Sequence, residues 1–279
     1  MSQIRPGEVY ALSERVRRIT APNPGVMTGP GTNSYLVGTA ALAMIDPGPN
    51  IESHIDALLR AAGNKLRWIL CTHAHHDHSP AAQAVHAATG AQLIGMPPPP
   101  GERHDQKFVP DWSIADGERL QGEGFSLRAV HTPGHASNHM CYLLEEEKLL
   151  FTGDHVMQGS TVVIGPPDGS MSAYLRSLEK LLGLDIARLA PGHGHPIDTP
   201  HDEVRKLIRH RLGREQKVVT ALAKVRQPSN RSAGSLAKHR SINWASESGT
   251  CGASERSRGA RRVTWATRTA DGVSLSNGK

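Results

Sequence analysis

The chain has 279 residues, a net charge of +6 and no run of eighteen apolar residues. This length allows one large domain, or one domain with an appendage. The composition predicts no membrane span, and the first residues do not resemble a secretory signal. The three cysteines lie far apart without metal-type spacing, which indicates a reducing, cytoplasmic environment.

The positive charge is confined to one end of the sequence. Residues 228–279 contain nine Lys or Arg and three Asp or Glu, so this segment alone has a net charge of +6. The other 227 residues contain 23 basic and 23 acidic residues, a net charge of zero. The globular part is therefore not biased towards phosphate, and the net charge does not indicate a nucleic-acid substrate.

Hydrophobic periodicity predicts alternating strands and helices along the first 225 residues. The predicted strands are 16–20, 32–37, 41–45, 68–71, 92–95, 125–130, 140–144, 148–151 and 186–190, and the predicted helices are 51–62, 80–88, 172–182 and 201–225, the last as one helix or two. A segment rich in Pro and Gly, 21–31, is expected to form a loop at the rim of a site. Strands that end in polar loops and continue into helices predict a layered α/β architecture with its site at the strand ends.

A cluster of histidines lies between the strand 68–71 and the helix that follows it. In extended chain alternate side chains point the same way, so His73, His75 and Asp77 can face one spot, with His78 beside them. Nitrogen and oxygen ligands at this spacing are what a divalent metal ion requires. A solvated histidine-rich loop is the alternative. The metal interpretation is favoured because further candidate ligands follow downstream.

Three of these candidates stand directly after predicted strands. His135, Asp154 and His193 each follow a small-residue turn, Pro-Gly, Thr-Gly and Pro-Gly respectively, which lets the backbone approach a metal closely. Each residue alone would more often belong to an ordinary turn. Together with the histidine-rich loop they complete the set that a two-metal site needs. Asp46 adds a further carboxylate just beyond the strand 41–45.

These motifs resemble those of the metallo-β-lactamase superfamily, from about residue 28 to about residue 196. Within it they are most similar to the β-lactamase-like protein 2 subfamily, through the segments 28–35 (TGPGTNSY), 45–49 (IDPGP), 77–82 (DHSPAA) and 132–135 (TPGH). The resemblance implies a four-layer αββα sandwich with a dinuclear zinc site at its edge, for which Mn²⁺ or Fe²⁺ are the alternative metals.

The resemblance also implies a role for each site residue. His73, His75 and His135 would bind the first metal ion. Asp77, His78 and His193 would bind the second, with Asp154 bridging both. Asp46 would orient ligands from behind through hydrogen bonds. Asp77 would also act in catalysis, together with His139, which would contact substrate or protonate the leaving group. A histidine at the surface or behind the metal ligands is the alternative interpretation of His139.

The function implied is hydrolysis of an ester, thioester or phosphodiester by a hydroxide that bridges two zinc ions. The expected substrate is a small-molecule ester or thioester, or RNA, and no membrane partner is expected. A single-strand-specific endoribonuclease and a glyoxalase II-like thioesterase are the alternative enzymes. A non-catalytic metal-binding scaffold is the alternative from another class.

The chain is expected to divide into three parts. Residues 1–200 would form the catalytic domain, 201–227 a C-terminal helix, and 228–279 a basic, serine-rich tail. The tail has few aliphatic residues, so disorder is expected there. An out-of-frame coding segment is one hypothesis for this tail, and a true basic tail that binds nucleic acid or a membrane surface is the other.

Overall fold

The computed structural model of the chain describes residues 3–226 and the short strands 267–269 and 272–274. The first sheet contains seven strands. The strands of the first sheet lie side by side in chain order and are β1 (Val9–Ala11), β2 (Val16–Thr20), β3 (Asn33–Val37), β4 (Leu42–Ile45), β5 (Leu66–Leu70), β6 (Gln92–Gly95) and β7 (Trp112–Ser113). The first four strands are antiparallel, and β4 to β7 are parallel.

The second sheet contains five strands, in the order β12-β11-β10-β9-β8. They are β8 (Arg119–Gly122), β9 (Phe125–His131), β10 (Met140–Leu144), β11 (Leu149–Gly153) and β12 (Arg188–Pro191). β10 is antiparallel to both β9 and β11, and β12 is parallel to β11. The carboxyl ends of β9, β11 and β12 therefore meet at one edge of the sheet.

Helices cover the outer face of each sheet. The helices are α1 (Glu52–Ala62), followed by one 3-10 turn (Gly63–Lys65), α2 (Ala82–Thr89), α3 (Met171–Leu182) and α4 (Pro200–Arg226). One apolar core lies between the sheets, a second lies between the first sheet and α1 with α2, and a third lies between the second sheet and α3 with the start of α4. The expected four-layer αββα sandwich is confirmed.

The two sheets meet at the edge where their polar loops emerge. The amide of Met140, at the start of β10, donates to Thr72 O after β5 at 2.7 Å, and the amide of Asn33 in β3 donates to Gly192 O after β12, also at 2.7 Å. The first bond joins the loop after β5 to the second sheet, and the second bond joins β3 to the loop after β12. The topology thus brings together residues that are far apart in sequence.

The first compact unit of the chain extends to residue 218. It includes the first turns of α4, where Val204 and Leu207 are buried in the core next to the second sheet. The second unit, 219–279, contains the end of α4 and an antiparallel pair of strands, β13 (Thr267–Thr269) and β14 (Gly272–Ser274). The other expectations for 228–279 lie outside the described residues. Among the residues described, no helix has the length and apolarity to cross a bilayer.

A buried histidine on α1 is expected to make stability depend on pH. His54 packs against β3, with Nε2 3.0 Å from Ser34 Oγ, and burial lowers the pKa of His54 to about 4. In the unfolded chain this pKa is about 6.5, so protonation favours unfolding. The stability that His54 contributes is fully present above pH 6.5 and is lost as the pH falls to 4. The loss amounts to about 3 kcal/mol.

The variant His54→Gln tests this dependence, because glutamine can still reach Ser34 but does not titrate. We expect its free energy of unfolding to fall less than that of the parent between pH 7 and pH 4. Urea titrations of both proteins in excess chelator, which removes any contribution from metal release, measure the difference. Parallel curves for the two proteins would contradict the assignment.

Candidate metal centre

Three imidazole nitrogens converge at one point of the strand-end edge. His73 and His75 lie in the loop after β5, and His135 lies in the loop after β9. The Nδ1 atom of His75 is 2.9 Å from His73 Nε2 and 2.9 Å from His135 Nε2. Nitrogens bound tetrahedrally to one zinc ion, each at about 2.0–2.1 Å, lie about 3.3 Å apart. The three side chains therefore need only small shifts to surround an ion.

A second group, with two carboxylates, lies beside the first. His193 Nε2 is 3.2 Å from Asp77 Oδ2 and 3.2 Å from Asp154 Oδ1. His78 Nε2 is 3.5 Å from the same oxygen of Asp77 and 3.4 Å from Asp154 Oδ1. The other oxygen of Asp154, Oδ2, points to His135 Nε2 at 3.6 Å. Asp154 thus faces both groups.

The unpaired atoms of this cluster fit a bound cation. His78 Nε2, His193 Nε2 and Asp154 Oδ1 are buried and make no hydrogen bond within residues 3–226. Buried polar atoms without a partner are costly. Three sets of side chains each bring their ligand atoms within 4.8 Å of one another: His73, His75 and His135; His73, His78 and Asp154; and Asp77, His78 and His193. The donor set of imidazoles and carboxylates matches zinc and other divalent transition metals.

The electrostatics of the two groups differ. Burial, together with the neighbouring imidazoles, lowers the pKa of His75 to about 3 and holds the pKa of His73 well below its usual range. Those histidines are neutral, the state that binds a metal. Burial also opposes a charge on His193, but Asp154 and Asp77 outweigh it and raise the pKa of His193 to about 9. The carboxylate side of the cluster therefore favours positive charge.

Asp46 fixes this arrangement from behind. It follows β4, and its backbone has a φ of 50°, which turns its carboxylate towards the loop after β5. Asp46 Oδ1 accepts the Thr72 amide at 2.7 Å, and Oδ2 accepts the Thr72 hydroxyl at 2.8 Å and His78 Nδ1–H at 2.9 Å. The Nε2 of His78 is thereby directed towards the cluster. A carboxylate that holds an imidazole in this way fixes the orientation and the tautomer of the ring.

His139 contacts Asp154 from within the protein. Its ring is fully buried, Nε2 accepts the amide of Asp154 at 3.2 Å, and Nδ1 lies 2.9 Å from the Thr132 hydroxyl. Both nitrogens are used inside the protein. His139 instead holds the backbone of Asp154. The adjacent sequence motif gave no sign of this, because the bond joins two separate loops, before β10 and after β11.

Two other histidines near the site form hydrogen bonds to backbone carbonyl groups outside the cluster. His76 is out of phase with its neighbours, as expected, and its Nε2 lies 2.9 Å from Glu102 O. His131 Nε2 lies 3.0 Å from Ser137 O. Sequence reasoning missed His104, which packs against His75, and Asp168, which lies 3.4 Å from His104. Both lie in irregular loops without a motif, so no sequence signal indicated them.

The segment of the chain that contains this site is similar to known proteins. The sequence profile described as "Metallo-beta-lactamase superfamily" matches residues 27–193, which include every residue of the cluster. The lactamase-like protein aptB of Emericella nidulans is 35% identical over 84% of this chain and 74% of its own length. A beta-lactamase-like protein 2 homolog of Caenorhabditis elegans is 32% identical over 77% of this chain and 73% of its own length, which confirms the expected resemblance.

Another similar protein is named as a thioesterase. It is an atrochrysone carboxyl ACP thioesterase of Aspergillus fumigatus, 35% identical over 79% of this chain and 69% of its own length.

Solved structures show the same fold. A metallo-beta-lactamase family protein of Thermus thermophilus superposes with a TM-score of 0.64 at 23% identity, over 76% of this chain and 84% of its own. A second structure, TTHA1623 in a di-iron-bound form, has a TM-score of 0.52 at 26% identity, over 66% of this chain and 96% of its own. The chain therefore belongs to the metallo-beta-lactamase superfamily and is a metal-dependent hydrolase with His and Asp metal-binding groups.

Proposed function

We propose that this protein is a thioesterase that uses two metal ions. The observation that carries the proposal is the convergence of six side chains on the two sides of Asp154. In this assignment His73, His75 and His135 bind the first ion, and Asp77, His78 and His193 bind the second, with Asp154 between them. Zinc suits these ligands, and iron is the alternative, since one similar structure is a di-iron form.

Divalent ions held by these residues would polarise a carbonyl group and lower the pKa of water towards neutrality. The carboxylates of this chain would balance the positive charge of the two ions. Asp77 has 28% of its side chain exposed, against 11% for Asp154. Asp77 is therefore the carboxylate of the centre that can exchange a proton with solvent, and we assign it the proton taken up during the reaction.

The nature of the leaving group favours a thioester. An alkoxide leaving group needs a proton as it departs, whereas a thiol has a pKa of about 8.5 and can leave as the thiolate. His139, the residue expected to supply such a proton, has both ring nitrogens engaged inside the protein. A site without this acid suits a thioester better than an oxygen ester or a phosphodiester.

Two further observations support the thioester class. The similar Aspergillus fumigatus protein is named for thioester hydrolysis on an acyl carrier protein. In addition, the first 227 residues have no net charge, and the chain is only 4% aromatic. A groove that follows RNA needs basic residues and aromatic stacking surfaces. We therefore place acyl thioesters ahead of single-stranded RNA.

The test is a substrate panel on protein loaded with zinc or with iron. The panel contains acyl-pantetheine, acyl-coenzyme A, an acyl carrier protein loaded with an acyl chain, S-lactoylglutathione and single-stranded RNA. We expect turnover of the first three, loss of turnover on chelation and its return when metal is added. His76→Ala is the matched control, because this exposed histidine lies in the same loop outside the cluster.

Each alternative has its own outcome. Preferred turnover of S-lactoylglutathione would indicate a glyoxalase II-like enzyme, and cleavage of RNA alone would indicate an endoribonuclease. Two tightly bound ions with no turnover of any substrate would favour a metal-binding scaffold. Any of these three results would replace the proposal.

A further inference from the structure

Four of the five histidines in the cluster are held by a hydrogen bond at the ring nitrogen that faces away from it. These bonds join His73 Nδ1 to Thr72 Oγ1 at 3.1 Å, His78 Nδ1 to Asp46 Oδ2 at 2.9 Å, His135 Nδ1 to Val163 O at 2.6 Å and His193 Nδ1 to Gly31 O at 3.2 Å. Such bonds fix both the orientation and the tautomer of a metal-binding imidazole.

His75 is the exception. Its Nδ1 faces the cluster, so Nε2 is the atom that should be held, yet Nε2 makes no hydrogen bond within residues 3–226. The ring instead stacks on that of His104, with centroids 4.9 Å apart and planes inclined by 27°. The backbones of the two residues also form an antiparallel bridge. A stacked ring therefore stands where the other four histidines have a hydrogen bond.

His104 is itself fixed in place. Its Nε2 lies 3.4 Å from Asp168 Oδ2, and the same oxygen accepts the amide of Ser137 at 2.9 Å. Only 3% of His104 is exposed, and its Nδ1 is buried without a hydrogen bond among the described residues. The Asp168 carboxylate is thus the polar partner that holds this ring, and through Ser137 it also reaches the loop that carries His135.

We propose that His104, held by Asp168, is a positioning residue that orients the His75 ring for binding of the first metal ion. His104 belongs to none of the three converging sets of ligand atoms, so its assigned role acts through His75. Without the stack, the His75 side chain would gain rotational freedom that metal binding must remove. The proposal rests on the metal assignment made above but not on the substrate class.

The variant His104→Ala tests the proposal by metal affinity, with no substrate present. Loss of a partner that orients a ligand typically lowers metal affinity about 10–100-fold, and we expect a loss of that size for the first ion only. Competition with a chelator measures the two ions separately. Cobalt loading adds a spectroscopic signature, because the visible bands of Co²⁺ report the geometry of its ligands.

Two further variants separate positioning from general loss of structure. His104→Phe keeps a flat ring against His75 and should restore most of the affinity. Arg103→Ala is the matched control, because Arg103 Nη1 reaches Gly165 O at 3.5 Å and joins the same two loops without touching His75. We expect it to bind both ions as the parent does.

Three results would overturn the proposal. The first is an affinity of His104→Ala for the first ion equal to that of the parent. The second is an equal loss of this affinity in Arg103→Ala. The third is an affinity of His104→Phe no higher than that of His104→Ala. If His104→Ala does not fold, His104→Phe decides alone. An affinity within about threefold of the parent supports the stacking role, and a loss beyond about tenfold contradicts it. Failure of the thioesterase assignment would leave these affinities unchanged.

Discussion

Replacing Asp154 by asparagine is expected to lower kcat/KM for a thioester on the order of 10³-fold and to remove at least one metal ion per chain. Asp154 is the carboxylate that faces both groups, with Oδ1 towards His78 and His193 and Oδ2 towards His135. Asparagine keeps the shape but removes the negative charge that balances two cations. Metal analysis and steady-state kinetics on the same preparation measure the two effects.

His76→Ala is the control for this substitution as well. Its side chain bonds to Glu102 O at 2.9 Å, outside the cluster, so metal content and turnover should stay at the parent level. An Asp154→Asn protein that holds two ions and hydrolyses thioesters at the parent rate would remove Asp154 from the centre. It would also leave the two groups of ligands without a common carboxylate.

Replacing Gly153 by alanine is expected to destabilise the protein by about 3 kcal/mol and to displace Asp154. Gly153 has a φ of +46°, which favours glycine. An added Cβ would lie 2.5 Å from Thr72 Oγ1 and 2.8 Å from His139 Nε2. Both neighbours are buried and hydrogen-bonded, so neither can move without breaking a contact that supports the site. Denaturant titration of the variant and its parent, with and without metal, gives the difference.

Gly124→Ala separates the two causes of the lost stability, which are backbone strain at positive φ and crowding of the added Cβ. Gly124 also has a positive φ, +77°, but an added Cβ there would meet no atom within 4 Å. Only the backbone strain applies at this position, and it costs about 1–2 kcal/mol. We expect Gly124→Ala to lose less stability than Gly153→Ala and to keep its full metal content. Equal losses would show that the crowding by Thr72 and His139 has no effect.

The strands and helices could be predicted because their signals are local. Alternating apolar residues predicted β2, β6 and β9 within a residue of their observed bounds, and helical spacing did the same for α1 and α3. Differences arose where the signal depends on the partner strand. The last strand was expected at 186–190, but β12 begins at Arg188, where pairing with β11 starts. Hydrogen bonding to a neighbour, and not the composition of the segment, sets that bound.

The sequence by itself determined the chemistry of the candidate site. The spacing of His73, His75, Asp77 and His78 is short enough for one loop to gather them. Three more ligand-type residues followed strands whose ends were expected to meet. Such information is local, because residue type and spacing do not depend on how distant segments pack.

Only the tertiary structure decided how these side chains are held. His139 has the position of a possible acid in the motif, yet the fold points its two nitrogens at Thr132 and at the Asp154 amide. His104 meets His75 across 29 positions of sequence through a single backbone bridge. Contacts of this kind form between irregular loops, where no periodicity connects the partners. Their physical cause is the convergence of loops from neighbouring strands at one edge of each sheet, which no single segment encodes.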